Sequence, residues 1–117
     1  MEADVLNALK SRVAYLPGGR DHDSHLLIIF QLPSELQPWT RRYIEVSTRY
    51  LLSSLSKQTL NNGLIAIVDA QKCSWRQARD QIKLITQLLD ENLIKIFAIR
   101  TDAFSMQNCA KTYKKGE

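Results

Sequence analysis

The sequence predicts an α/β chain: a mainly parallel sheet of about three strands, flanked by helices. Three observations carry this expectation. First, Gly63-Leu64-Ile65-Ala66-Ile67-Val68-Asp69 holds a run of five apolar residues with no polar alternation, the pattern of a parallel strand covered on both faces. Second, Leu26-Leu27-Ile28-Ile29-Phe30 upstream and Leu93-Ile94-Lys95-Ile96-Phe97-Ala98-Ile99 downstream repeat the signal. Third, each run is followed by a stretch with helical spacing, and strands alternating with helices make a parallel sheet. Asp69 then stands at the carboxyl end of its strand, where open α/β sheets gather their ligand sites.

In chain order, Asp4 is placed to cap a short helix with Val5, Leu6, Leu9 and Val13 on one side, since a short oxygen-bearing side chain satisfies a free backbone N–H there. Pro17-Gly18-Gly19 is expected to end it. A polar loop through Arg20 and Asp23 leads to a first strand from about His25 to Gln31, which Pro33 closes by lacking a donor. Pro38 suits a helix start, and Trp39, Tyr43, Val46 and Tyr50 recur at helical spacing, with Leu51 and Leu55 extending that face. Asn61-Asn62-Gly63 is a turn signal before the second strand. Ser74 and Gln77 form a capping box, and Trp75, Ala78, Ile82, Ile85 and Leu89 form the apolar stripe of the helix it opens. A last helix is expected from about Asp102 to Tyr113, with Phe104 near its start.

The chain has 117 residues, with 44% hydrophobic and 24% charged residues, an ordinary composition for a folded chain and not that of a disordered one. A net charge of +4 permits attraction to phosphates, anionic lipid or acidic proteins without choosing among them. Cys73 and Cys109 lie far apart without CxxC or CxxH spacing, which suggests reduced thiols and a cytoplasmic setting instead of a zinc site or disulfide framework. Met1-Glu2-Ala3-Asp4 is acidic where a signal peptide needs a basic region. The apolar runs fall short of the roughly 20 residues of a membrane-spanning helix.

Chemistry has few footholds. Asp21-His22-Asp23-Ser24-His25 gathers imidazoles and carboxylates that can bind a transition metal, but no further ligand is evident and a polar loop is preferred, so neither a metal nor a cofactor is expected. Pro17-Gly18-Gly19-Arg20 precedes a strand and lacks the P-loop residues. Asp69 and Asp102 resemble the acidic pairs that hold magnesium in phosphotransfer domains, yet one is a natural turn residue and the other a natural helix cap. Neither a catalytic residue nor an enzyme activity is therefore expected. Arg76, Arg79 and Lys83 form a basic stripe on the outer face of their helix, with Lys111, Lys114 and Lys115 clustered further on. These are either the wet side of a helix and a solvated helix end, or an electrostatic attraction to an anionic membrane worth about 1 kcal/mol per residue. Nucleic acid is not an expected partner, because Trp39, Tyr43, Tyr50 and Trp75 fall on faces predicted to be buried and leave no stacking platform.

The order of residues also carries a resemblance. Val5-Leu6-Asn7-Ala8-Leu9-Lys10, Val13 to Asp21 with its glycine pair, Tyr50-Leu51-Leu52-Ser53-Ser54, Gly63 to Asp69, Ser74-Trp75 and Ile99 to Phe104 together resemble the CRAL-TRIO lipid-binding-type domain. That domain occurs at the N-terminus of Trio and kalirin, in Dbl-type and puratrophin-type Rho guanine-nucleotide exchange factors, and in a related spectrin-repeat protein. Two positions depart from the pattern, with Thr101 in place of a usual proline and Ser105 where tryptophan is common. The resemblance implies that residues 1–117 form one CRAL-TRIO-like domain, the N-terminal two thirds of that fold, without the later strand and closing helices. It further implies a noncatalytic module for phosphoinositide or other lipid, peripheral to a membrane. The alternative is a protein-interaction module that holds no lipid.

Overall fold

A computed structural model of the chain describes residues 2–100 and 110–113. The three apolar runs become β2 (Leu26–Gln31), β3 (Leu64–Asp69) and β4 (Leu93–Ile99), side by side and parallel with Ile28 paired to Ala66 and Ala66 to Ile96. The expected α/β class and mainly parallel sheet are thus found. Two short strands, β1 (Ala14–Tyr15) and β5 (Ala110–Tyr113), add antiparallel edges, giving a five-stranded sheet in the order β1-β2-β3-β4-β5.

The described helices are α1 (Glu2–Ser11), α2 (Thr40–Ser53), α3 (Lys57–Asn62) and α4 (Trp75–Leu89), the last followed by a 3-10 turn at Asp90–Asn92. Helix α4 follows its sequence signals closely. Ser74 Oγ accepts from Gln77 N at 3.3 Å, and Ala78, Ile82, Ile85 and Leu89 are buried, with Trp75 half-buried against the core. Gly63 sits at φ +102°, and a Cβ there would fall 2.3 Å from Ile94 Cγ1. Only glycine can make this entry into β3 without strain.

Four expectations are corrected. Helix α1 ends at Ser11, six residues before Pro17, because Arg12 turns to φ 56° and the chain goes directly into β1. Asp4 lies within that helix, Leu6 is 52% exposed and Ala8 is the fully buried contact. In α2 the buried side is Thr40, Ile44, Ser47 and Thr48, whereas Trp39 and Tyr50 are 44% and 48% exposed. Three of these four buried residues carry a hydroxyl, so apolarity alone does not set the helix phase. Helix α3, capped by Ser56 Oγ accepting from Thr59 N at 3.1 Å, was not expected. Finally, Ala110–Tyr113 is an edge strand paired with β4 and not the end of a helix. The rest of that expected helix lies outside the described residues.

The core forms on one side of the sheet. Leu26, Ile28 and Phe30 of β2, Leu64, Ala66 and Val68 of β3, and Leu93, Ile96 and Ala98 of β4 cluster with Ile44 of α2 and with Ala78, Ile82, Ile85 and Leu89 of α4. Each fully buried Leu, Ile, Val or Phe among them contributes about 1.5–3 kcal/mol. Ser47 Oγ, Thr48 Oγ1 and Gln81 Oε1 are buried in this layer without a hydrogen-bond partner among the described residues.

Candidate functional site

Strand residues alternate between the two faces of a sheet, so the residues between the core positions must point the other way. Across the strands they align in three rows: Tyr15, Ile29, Ile67 and Phe97; Leu27, Ile65 and Lys95; Gln31, Asp69 and Ile99. Most of these are apolar. Ile65 is buried between its neighbours, while Leu27, Ile29, Ile67, Phe97 and Ile99 are only half-buried. The core cluster that includes α2 and α4 draws its residues from the opposite face. An apolar, partly exposed sheet face is therefore the most distinctive surface of the molecule.

Arg76, Arg79 and Lys83 are all exposed, as expected. They lie on the side of α4 opposite Ala78, Ile82 and Ile85, so the helix and the sheet separate them from the open apolar face. Among the described residues none of the three forms an ion pair. Lys111 lies in β5, opposite Ala98, while Lys114 and Lys115 fall outside the described residues.

The acidic candidates act in turns. Asp69 Oδ1 accepts from Gln71 N at 3.2 Å, and Asp69 O accepts from Leu32 N at 3.0 Å, so its carboxylate shapes the β3–α4 connection. Asp102 lies outside the described residues, and so does Cys109. Asp21, Asp23 and His25 bring potential ligand atoms within 4.8 Å of one another, but the Asp21 carboxylate is already engaged. Its Oδ1 accepts from Asp23 N (3.0 Å) and His25 N (2.8 Å), and its Oδ2 lies 2.9 Å from His25 Nδ1. The hydrogen bond with the His25 side chain holds the Asp21 carboxyl below its ordinary range. Burial pushes the Cys73 thiol up, and Asp69 nearby adds to that rise, which disfavours the nucleophilic thiolate.

Trp75 is half-buried, with the Arg100 guanidinium 5.0 Å from its ring centroid. Trp39 lies instead at the surface beside a small pocket of about 200 Å³. Trp39 and Tyr50 are thus exposed where burial was expected, which removes the ground for excluding a stacking platform at these two rings. A larger cleft of about 920 Å³ opens near the amino ends of β2 and β3 and is lined by Arg20, Ser24, Gln58, Thr59, Asn61 and Asn62. Its volume is that of a small-molecule site, but its polar walls do not suit an acyl chain. Within this cleft, Arg20 Nη1 and Asn62 Nδ2 both donate to Ser24 O at 2.9 Å.

Sequence comparison gives the chain its kin. The mouse and human proteins named SEC14 domain and spectrin repeat-containing protein 1 are each 29% identical to it over 105 residues, 89% of this chain. Human guanine nucleotide exchange factor DBS is 30% identical over 103 residues, 87% of the chain. The chain is a homologue of these proteins. That kinship bears out the CRAL-TRIO-type resemblance seen in the residues. No family model matches the sequence. The chain spans about 15% of the length of the SEC14-domain relatives and about 9% of the exchange factor.

Proposed function

We propose that this chain is a noncatalytic, lipid-engaging module that works at the cytoplasmic surface of membranes, with the open face of its sheet as the lipid contact. The observation that carries the proposal is the half-buried apolar surface of Leu27, Ile29, Ile67, Phe97 and Ile99, on strands whose composition calls for cover on both sides. A phosphoinositide is a suitable ligand because the basic chain also offers cations, among them Lys95 in the same rows as the apolar residues. Kinship with a SEC14-domain protein and an exchange factor supports the reading. The engagement of Asp69 in its turn and the raised thiol of Cys73 favour a noncatalytic role. Among the described residues no helix is long and apolar enough to cross a membrane, in keeping with peripheral attachment.

The stripe on α4 points away from this surface, so the two modes of attachment can be separated. Apolar contact tolerates salt, whereas attraction between exposed charges is screened beyond about 8 Å at physiological ionic strength. In co-sedimentation with phosphatidylcholine vesicles containing phosphoinositide, binding is expected to persist at high salt and to fall in the Ile67→Asn variant. Charge reversal of Arg76, Arg79 and Lys83 to Glu should remove only the salt-sensitive part. Binding lost entirely to salt and to charge reversal, yet indifferent to Ile67→Asn, would move the contact to α4. No vesicle binding at either salt would favour the protein-interaction alternative.

A further inference from the structure

The geometry points to a docking site for an acidic peptide segment at the carboxyl-terminal rim of the sheet, in a pocket that meets the proposed lipid face only at its edge, through Gln31. The pocket there holds about 200 Å³, below the roughly 300–1,000 Å³ of small-molecule sites and in keeping with a single inserted side chain. Val13 and Leu32, both nearly fully buried, belong to the core and give the pocket an apolar base. Pro33 and Trp39 form its wall, and Gln31 and Lys72 stand among its polar residues.

Trp39 is the unusual member. It lies immediately before the first residue of α2 and is 44% exposed, with its ring held at 4.8 Å from that of Tyr43. An indole fixed by a neighbouring ring loses little freedom on binding, and exposed tryptophans beside pockets are frequent anchors of protein contacts. The lining itself carries one cation and no carboxylate, and the neighbouring Asp69 carboxylate is engaged by Gln71 N. Lys72 is exposed and makes no ion pair among the described residues. Arg12, between Ser11 and Val13 at the pocket edge, is exposed and has its guanidinium 4.2 Å from the Tyr15 ring centroid. Tyr15 is tied to the lining in turn, since its hydroxyl accepts from Gln31 Nε2 at 3.3 Å. An occupant that fits brings one apolar or aromatic side chain for the pocket and carboxylates on either side of it. A peptide supplies both in an extended segment.

The test is fluorescence anisotropy of the whole chain with a short fluorescein-labelled peptide of aspartate and glutamate around one central phenylalanine. Two controls replace the phenylalanine with alanine or the acidic residues with lysine. Saturable binding is expected for the first peptide alone. Trp39→Ala should weaken it about tenfold or more, the scale of an interface anchor, and Lys72→Glu should weaken it severalfold. Both substitutions are at exposed positions, so circular dichroism should be unchanged. As a second readout, amide resonances of Val13 and Leu32 should shift on titration with the acidic peptide. Failure of that peptide to saturate, equal binding of the lysine control, or an affinity unmoved by Trp39→Ala would each overturn the proposal. None of these outcomes bears on vesicle binding, so the lipid reading stands or falls separately.

Discussion

Phe30 and Phe97 belong to the same sheet and fare differently. Phe30 faces the helices and is 0% exposed, packed with Val68, Ile44 and the apolar side of α4. Phe97 points to the opposite face, aligned with Ile67 and Ile29, and remains half-buried. Both faces are rich in Leu, Ile and Phe, and Gln31, Asp69 and Lys95 at the edges of the second leave its centre as apolar as the first. The difference comes from the helices. The buried stripes of α2 and α4 meet the face that carries Phe30. Among the described residues, the face that carries Phe97 stays partly exposed.

The largest effect expected is at Phe30. Its replacement by Ala should cost about 3–5 kcal/mol by emptying a closed core site, against roughly half that for Phe97→Ala, where part of the ring already meets water. Chemical denaturation of both variants checks this, and equal costs would show the second face to be covered in solution. The tryptophans give the next contrast. Trp75→Ala, which opens the half-buried start of α4 and frees Arg100, should cost about 2–3 kcal/mol, below the range for fully buried aromatics. Trp39→Ala should stay within about 0.5 kcal/mol as a surface change. A stable Trp75→Ala variant would place that ring outside the covered layer.

The smallest effect concerns the turn that feeds β2 and touches neither face. Because the folded-state pKa of Asp21 is lowered, its contribution to stability is present above the unfolded value near 3.8 and is lost as pH falls through the folded value. Asp21→Asn should therefore lower the denaturation midpoint slightly at neutral pH. The gap to the unaltered protein should close on acidification below about pH 4. A gap that persists unchanged in acid would show that the carboxylate charge plays no part in this turn.

Much of this architecture could be read from residues. The three central strands announced themselves through uninterrupted apolar runs, and α4 through Ser74, Gln77 and a regular stripe. Helix α2 was misread because Trp39, Tyr43 and Tyr50 look like a core face, while the residues that are buried, Thr40, Ser47 and Thr48, look like a wet one. Their short side chains are fully enclosed in the fold, and hydropathy does not encode that. Strand β1 is two residues long, too short to carry a period, and α3 offered only the Ser56 cap and six residues. Of the candidate sites, the basic stripe was legible as an exposed helix face. The open apolar face was not, since its residues announce a need for cover without saying what provides it. The exposure of Trp39 was the available signal for the rim pocket: it falls at the helix start next to Pro38, outside the first full turn.

The strand order has a consequence for where a ligand can go. Successive neighbours in the sheet are successive in the chain, so the order never reverses. Connections between adjacent parallel strands are right-handed in about 98% of cases, and two such connections advancing in the same direction pass over the same side. A doubly wound sheet escapes this by turning back, and the reversal opens a crevice at its strand ends. The described strands make no such turn. Asp69, at the end of the middle strand, therefore borders no crevice of that kind, and the β2–β3 and β3–β4 crossovers are both committed to a single layer. Whatever shields the second side must arrive by a route other than the crossovers, and its arrival can thus be gained or lost without redrawing the sheet.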